Sequence, residues 1–139
     1  MENNEIIKVE VVINQECSNV WDFWTTPEHI TKWNQATEEW HCPKAVNNLK
    51  AGGTFNYRME AKNGSMGFDF TGTYSKIMPH EKIDFALEDG RHVEIDFIKE
   101  GEKTRIIEVF DLDSENSPGI QKQGWQAILN NFKNYVESN

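Results

Sequence analysis

Polar and apolar residues alternate along most of this chain, and the alternation gives way to helical spacing near each end. Ile7, Val9, Val11 and Ile13 alternate with Lys8, Glu10, Val12 and Asn14, a period of two that predicts a half-buried strand. Val20, Trp21 and Trp24 follow at helical spacing, with Ser18 placed to cap a short helix. Thr26-Pro27 restarts the chain, since Thr suits a cap and Pro the first helical position. Ile30 and Trp33, three apart, mark the second short helix.

The segment Glu38 to Val46 returns to period two, with Trp40 and Cys42 on one side and Glu39 and His41 on the other. Pro43 cannot donate to a ladder, so this strand belongs at a sheet edge. Asn47 to Gly53 is a polar turn. Phe55, Tyr57 and Met59 then alternate with polar residues up to Lys62-Asn63-Gly64-Ser65. Asn-Gly supplies the positive φ that a tight hairpin needs. The returning strand carries Phe68, Phe70, Gly72 and Tyr74 on one face. After a break at Met78-Pro79-His80-Glu81 come Ile83, Phe85 and Leu87, then a second hairpin signal at Glu88-Asp89-Gly90. Val93, Ile95 and Phe97 precede a turn around Gly101. The last strand, Thr104 to Asp111, sets Ile106, Glu108 and Phe110 on one face and Arg105, Ile107 and Val109 on the other.

From Ser117 the period changes. Pro118 fits a first helical turn, and Trp125, Ile128, Leu129, Phe132, Tyr135 and Val136 follow the i, i+3, i+4, i+7 pattern. About twenty residues at ~1.5 Å rise make a helix near 30 Å long, enough to cross a small sheet. Strand, two short helices, a run of antiparallel strands and one long helix define an α+β domain. No linker, repeat or low-complexity segment divides residues 1–139, so one domain is expected.

Composition narrows the function. Five Trp, eight Phe and three Tyr are many for 139 residues. Rings of this size suit a core or the wall of a ligand cavity. Acidic side chains outnumber basic ones, with a net charge of −9. A nucleic-acid binder needs a basic face to displace counterions, so nucleic acid and anionic membrane surfaces are excluded as expected partners. No apolar run approaches the ~20 residues that span a bilayer. The polar start, Met1 to Glu5, lacks an apolar signal segment. Cys17 and Cys42 lack Cys-x-x-Cys spacing. A cytoplasmic protein with two thiols is the expectation, without a disulfide scaffold.

Two glycines and one carboxylate point to a hollow interior. Gly124 lies within the long helix, where Gly costs about 1 kcal/mol relative to Ala, so a close approach by a strand or ligand would explain it. Gly72 lies within a strand, where Gly marks a bend or close approach. Relief of packing explains both equally well. Glu108 sits between Ile106 and Phe110. If that face is the inner one, a carboxyl points into apolar space and must be paired, protonated or wet. If Ile107 and Val109 face the core, it is solvated.

Motifs with diagnostic catalytic or metal-binding spacing do not occur. There is no Gly-x-Ser-x-Gly elbow and no His-Glu-x-x-His helix, and Gly52-Gly53 lacks the Lys-Ser/Thr of a phosphate loop. His29, His41, His80 and His92 are dispersed, and His29 reads as an exposed first-turn residue. No cofactor, metal or catalytic set is expected from these motifs.

One family resemblance gathers these features. Trp33-Asn34, Trp40-His41-Cys42-Pro43-Lys44-Ala45, Gly52-Gly53-x-Phe55, the hairpin Lys62 to Tyr74, Asp89-Gly90-Arg91, Thr104 to Asp111 and the helical run Gln123 to Phe132 resemble the START-like, birch-pollen-allergen-like (SRPBCC) helix-grip superfamily. The chain is most similar to the single-domain bacterial branch related to the C-terminal domain of the Hsp-ninety ATPase activator. The resemblance implies a seven-stranded antiparallel sheet gripping the long helix, with a deep cavity between them. Relatives bind lipids, steroids, polyketides or other apolar molecules there, and a few catalyse cyclase- or hydrolase-like chemistry. Three functions therefore stand open. The first is a binding module for a small apolar or amphipathic ligand, with walls from Trp33, Trp40, Tyr57, Phe70, Phe85 and Trp125 and a polar anchor at Glu108. The second is an enzyme using Glu108 as acid or base. The third is a chaperone-associated interaction protein. An exposed sheet edge or helix would also let two copies pair as a homodimer.

Overall fold

A computed structural model describes residues 6–113 and 117–139. The polar stretch Met1 to Glu5 lies outside them. Strand β1 (Ile6–Ile13) is followed by two short helices, α1 (Cys17–Thr25) and α2 (Pro27–Trp33). Six strands follow: β2 (Trp40–Asn47), β3 (Thr54–Ala61), β4 (Gly67–Met78), β5 (Lys82–Leu87), β6 (His92–Glu100) and β7 (Lys103–Asp111). The chain closes with α3 (Pro118–Glu137). All seven strands form one antiparallel sheet in the order β1-β7-β6-β5-β4-β3-β2. This is the α+β order expected from the periodicities, in the helix-grip arrangement that the resemblance implies.

The turn chemistry acts where the sequence places it. Gly64, Gly90 and Gly101 adopt φ of 78°, 95° and 66°. Thr26 ends α1 and begins α2 at once. Its N–H donates to the Asp22 carbonyl, its own carbonyl accepts from His29 and Ile30, and Pro27 opens α2. Its side chain makes no cap bond. The expected cap at Ser18 is corrected: Glu16 occupies the N-cap of α1 without a side-chain bond, and Ser18 lies inside the first turn. Ser117 does cap α3, its hydroxyl accepting from the Ile120 N–H at 3.2 Å.

Helix α3 is fastened to one side of the sheet. β1 is an edge strand, and two of its outward carbonyls are taken by α3 side chains. Gln126 donates to Glu10 O at 3.0 Å and Lys133 to Val12 O at 2.7 Å. Glu137 accepts from the Asn14 N–H at 2.9 Å. At the far edge, Pro43 sits where the β2–β3 register shifts between His41 and Lys44. A second shift falls in the β4–β5 pair between Tyr74 and Lys76. Bulges bend strands and increase twist, so β2 to β5 curl more than the β1, β7 and β6 ladders, which run without a shift. The curled strands leave space beneath a helix held to the opposite edge.

Candidate functional site

That space is a cavity of about 220 Å³. Its floor comes from the concave face of β3 to β7 and its roof from Trp125 and Ile128 of α3, with Trp24 of α1 and Trp33 of α2 closing one side. Trp33 is locked in place. Its indole N–H donates to the Phe23 carbonyl at 3.0 Å, and its ring lies 4.8 Å from both Trp24 and Phe132. Trp125 stacks on Phe110 at 3.9 Å with planes 15° apart, and meets Phe70 edge-on at 6.3 Å. The stack joins the helix to β7 two residues from Glu108.

Glu108 faces inward. Its strand neighbours are Val9 on β1 and Ile95 on β6, and it is 6% exposed, between Ile106 and Phe110 at 0% and 1%. The sequence left the facing of this residue open, and the bulkier pair faces the core. Among the described residues nothing donates a hydrogen bond to its carboxyl. Burial alone pushes its pKa from the ordinary carboxylate value up to about 8, because the charged form loses water and gains no partner. Burial therefore favours the neutral acid, which can donate as well as accept.

A second polar group lies on β3 and β4. The hydroxyls of Tyr57 and Tyr74 approach to 3.5 Å, and burial lifts both phenols above their ordinary value, Tyr57 the further. Buried Asn34, the C-cap of α2, reaches the Met59 sulfur at 3.7 Å. Among the described residues no three His, Cys, Asp or Glu side chains gather as metal ligands. Cys42 is buried and its thiol is pushed upward by desolvation, which makes it an unreactive group.

Six of the seven residues singled out in the sequence come together on this wall: Trp33, Tyr57, Phe70, Phe85, Glu108 and Trp125. Trp40 does not. It opens the edge strand β2 and packs 5.9 Å from Phe68, which stands between it and the cavity. Gly124 also departs from expectation, because a Cβ built there meets nothing within 4 Å. Gly72 is required: a Cβ would lie 2.7 Å from the Phe55 ring and 2.8 Å from the Ala86 carbonyl. His29 is half-buried rather than exposed, its Nδ1 2.7 Å from the Tyr135 hydroxyl. Sequence reasoning missed the other wall residues, among them Trp24, Asn34, Phe55 and Tyr74. Tyr74 shares the alternation of Phe70 and could have been found from it. Asn34 ends a helix and carries no periodic signal.

A curved antiparallel sheet gripping a long helix over an aromatic cavity defines a helix-grip protein. Residues 15–137 match the family described as Activator of Hsp90 ATPase homolog 1-like protein, and the chain belongs to that family. It is similar to an AHSA1-like protein from Aeromonas hydrophila, known from a solution structure. The two are 41% identical with a TM-score of 0.91 over 96% of this chain and 93% of that one. A protein from Cytophaga hutchinsonii is 49% identical, with a TM-score of 0.83 over 96% and 92% of the two chains. A protein from Chromobacterium violaceum shares the fold at 19% identity, with a TM-score of 0.86 over 97% and 99%. No curated protein matches the chain. No helix among the described residues is long and apolar enough to cross a membrane.

Proposed function

We propose that this protein binds a small, largely apolar molecule in the cavity beneath α3, with Trp33, Tyr57, Phe70, Phe85 and Trp125 as wall and Glu108 as polar anchor. The supporting observation is the cavity itself, about 220 Å³ lined chiefly by aromatic rings with few polar groups. Interiors pack closely and leave few voids larger than water, so a hollow of this size is a departure that binding would explain. The test is native mass spectrometry of the purified protein followed by a thermal-shift series with apolar probes. Binding to the folded state raises Tm by mass action, by ~2.7 kcal/mol at a hundredfold excess over Kd. The wild type should shift, and Ile128→Trp, which fills the cavity from the helix, should fold but not shift. No bound mass and no shift with any probe would overturn the proposal.

The raised pKa of Glu108 supports a second reading, in which the carboxyl acts as a general acid or base on a bound substrate. Turnover that disappears in Glu108→Gln while binding persists would favour it. Binding without turnover in the wild type leaves the first reading alone.

A further inference from the structure

The proposal above leaves the chemistry of the ligand open, and the inference that follows rests on it. Glu108 is the acid on the cavity wall, it lies on β7, and no described residue satisfies it. Buried polar groups are nearly always paired, so an unpaired carboxyl facing a cavity marks a place where something else completes the bond. The Tyr57–Tyr74 pair is three to four strands away along the sheet. The two hydroxyls approach each other at 3.5 Å, and neither bonds Glu108.

We infer that the ligand is a flat, uncharged molecule of one or two rings carrying a carbonyl-type oxygen, which accepts a hydrogen bond from the carboxyl of Glu108. Size sets the ring count: a dry cavity of ~150 Å³ takes up benzene, and this one is larger at about 220 Å³. The aromatic wall around Trp125, Phe70 and Tyr57 suits a planar body. Charge is decided by what surrounds the carboxyl. A ligand cation would require both charges to be stripped of water. Such a buried pair breaks even only when further hydrogen bonds satisfy it, and no described residue offers one to Glu108. A ligand anion would meet an acid without a cation beside it. A neutral acceptor asks only for the proton that burial already keeps on Glu108.

Few other groups near the carboxyl can titrate in its place. On the neighbouring strands, Lys8 and Glu10 of β1, Glu94 and Asp96 of β6, and Arg105 and Asp111 of β7 alternate onto the outer face or lie at the strand end. On α3, Lys122 is exposed, and Lys133 is bound to Val12 O and Glu137. Tyr57, Tyr74 and Cys42 all titrate above their ordinary values.

Equilibrium dialysis with four naphthalene probes tests this. They are naphthalene, 2-acetylnaphthalene, its hydrocarbon isostere 2-isopropenylnaphthalene, and 2-naphthylmethylamine. At pH 6 the ketone should bind the wild type about fivefold to tenfold more tightly than its isostere, the worth of one added hydrogen bond. Glu108→Leu should reverse the preference and bind the isostere more tightly, because the ketone oxygen is then buried without a donor. At pH 9 the wild type should lose the preference, whereas Glu108→Gln, whose amide donates without titrating, should keep it. Equal affinity for ketone and isostere in the wild type at pH 6 overturns the inference while leaving the cavity proposal standing. So does tightest binding of the amine, with affinity rising from pH 6 to 8. If neither naphthalene nor any derivative binds, the binding proposal itself falls.

Discussion

Beneath the β1, β7 and β6 ladders the interior is sealed. Val9, Ile13, Ile106, Phe110, Leu129, Phe132 and Val136 are at most 1% exposed, and three side-chain bonds hold α3 along β1. Beneath β3, β4 and β5 the residues are equally apolar, yet Tyr57, Phe70 and Trp125 are only partly buried and enclose empty space. Composition does not separate the two halves. Strand geometry does, since both register shifts fall between β2 and β5. A helix tied to one edge can fill only the half it touches. The curl opens the other half, and Glu108 stands on the boundary, roofed by a helix that offers it no partner.

The sharpest way to break this comparison is to cut the sealed side. Phe132→Ala removes a ring with 0% exposure that contacts Trp24 and Trp33 at 4.8 Å each, and should cost about 3–5 kcal/mol in chemical denaturation. A loss below about 1 kcal/mol would mean the sealed half is as loosely packed as the hollow one.

At the boundary, stability should depend on pH. The folded pKa of Glu108, about 8, lies above the unfolded value of 4.5, so the folded state holds the extra proton between them. Its contribution is fully present below pH 4.5 and is lost as pH rises through 8. Glu108→Gln removes the titration. It should be more stable than the wild type by about 4 kcal/mol at pH 8 and within about 1 kcal/mol of it at pH 5. Parallel curves for the two proteins would show that the carboxyl is solvated.

On the hollow side, Gly72→Ala should lose about 2 kcal/mol, because its methyl meets the Phe55 ring and a fixed carbonyl. The smallest effect has the opposite sign. Gly124→Ala meets nothing within 4 Å and should gain about 0.5–1 kcal/mol from helix propensity, read as a higher Tm. A loss there would reveal a contact at this position of α3.

Much of this architecture was legible in residue order because its causes are local. Period-two runs specify which side chains share a face, so Ile106, Glu108 and Phe110 were grouped correctly before their direction was known. Asn63-Gly64 and Asp89-Gly90 specify hairpins through positive φ, Pro43 demands an edge, and the spacing from Trp125 to Val136 demands a long amphipathic helix. The family follows from the same residues.

Tertiary structure alone decided depth and partnership. Alternation tells which face a residue takes, not how far the sheet curls beneath it. Trp40 and Trp33 therefore looked equivalent, although only Trp33 reaches the cavity. The same limit separates Gly72 from Gly124: each breaks a local propensity, but only the fold brings a ring and a carbonyl against one and leaves the other open. Glu108 is the clearest case. Its position came from a period of two. Its isolation came from an antiparallel sheet that curls away on one side and a helix held to the other.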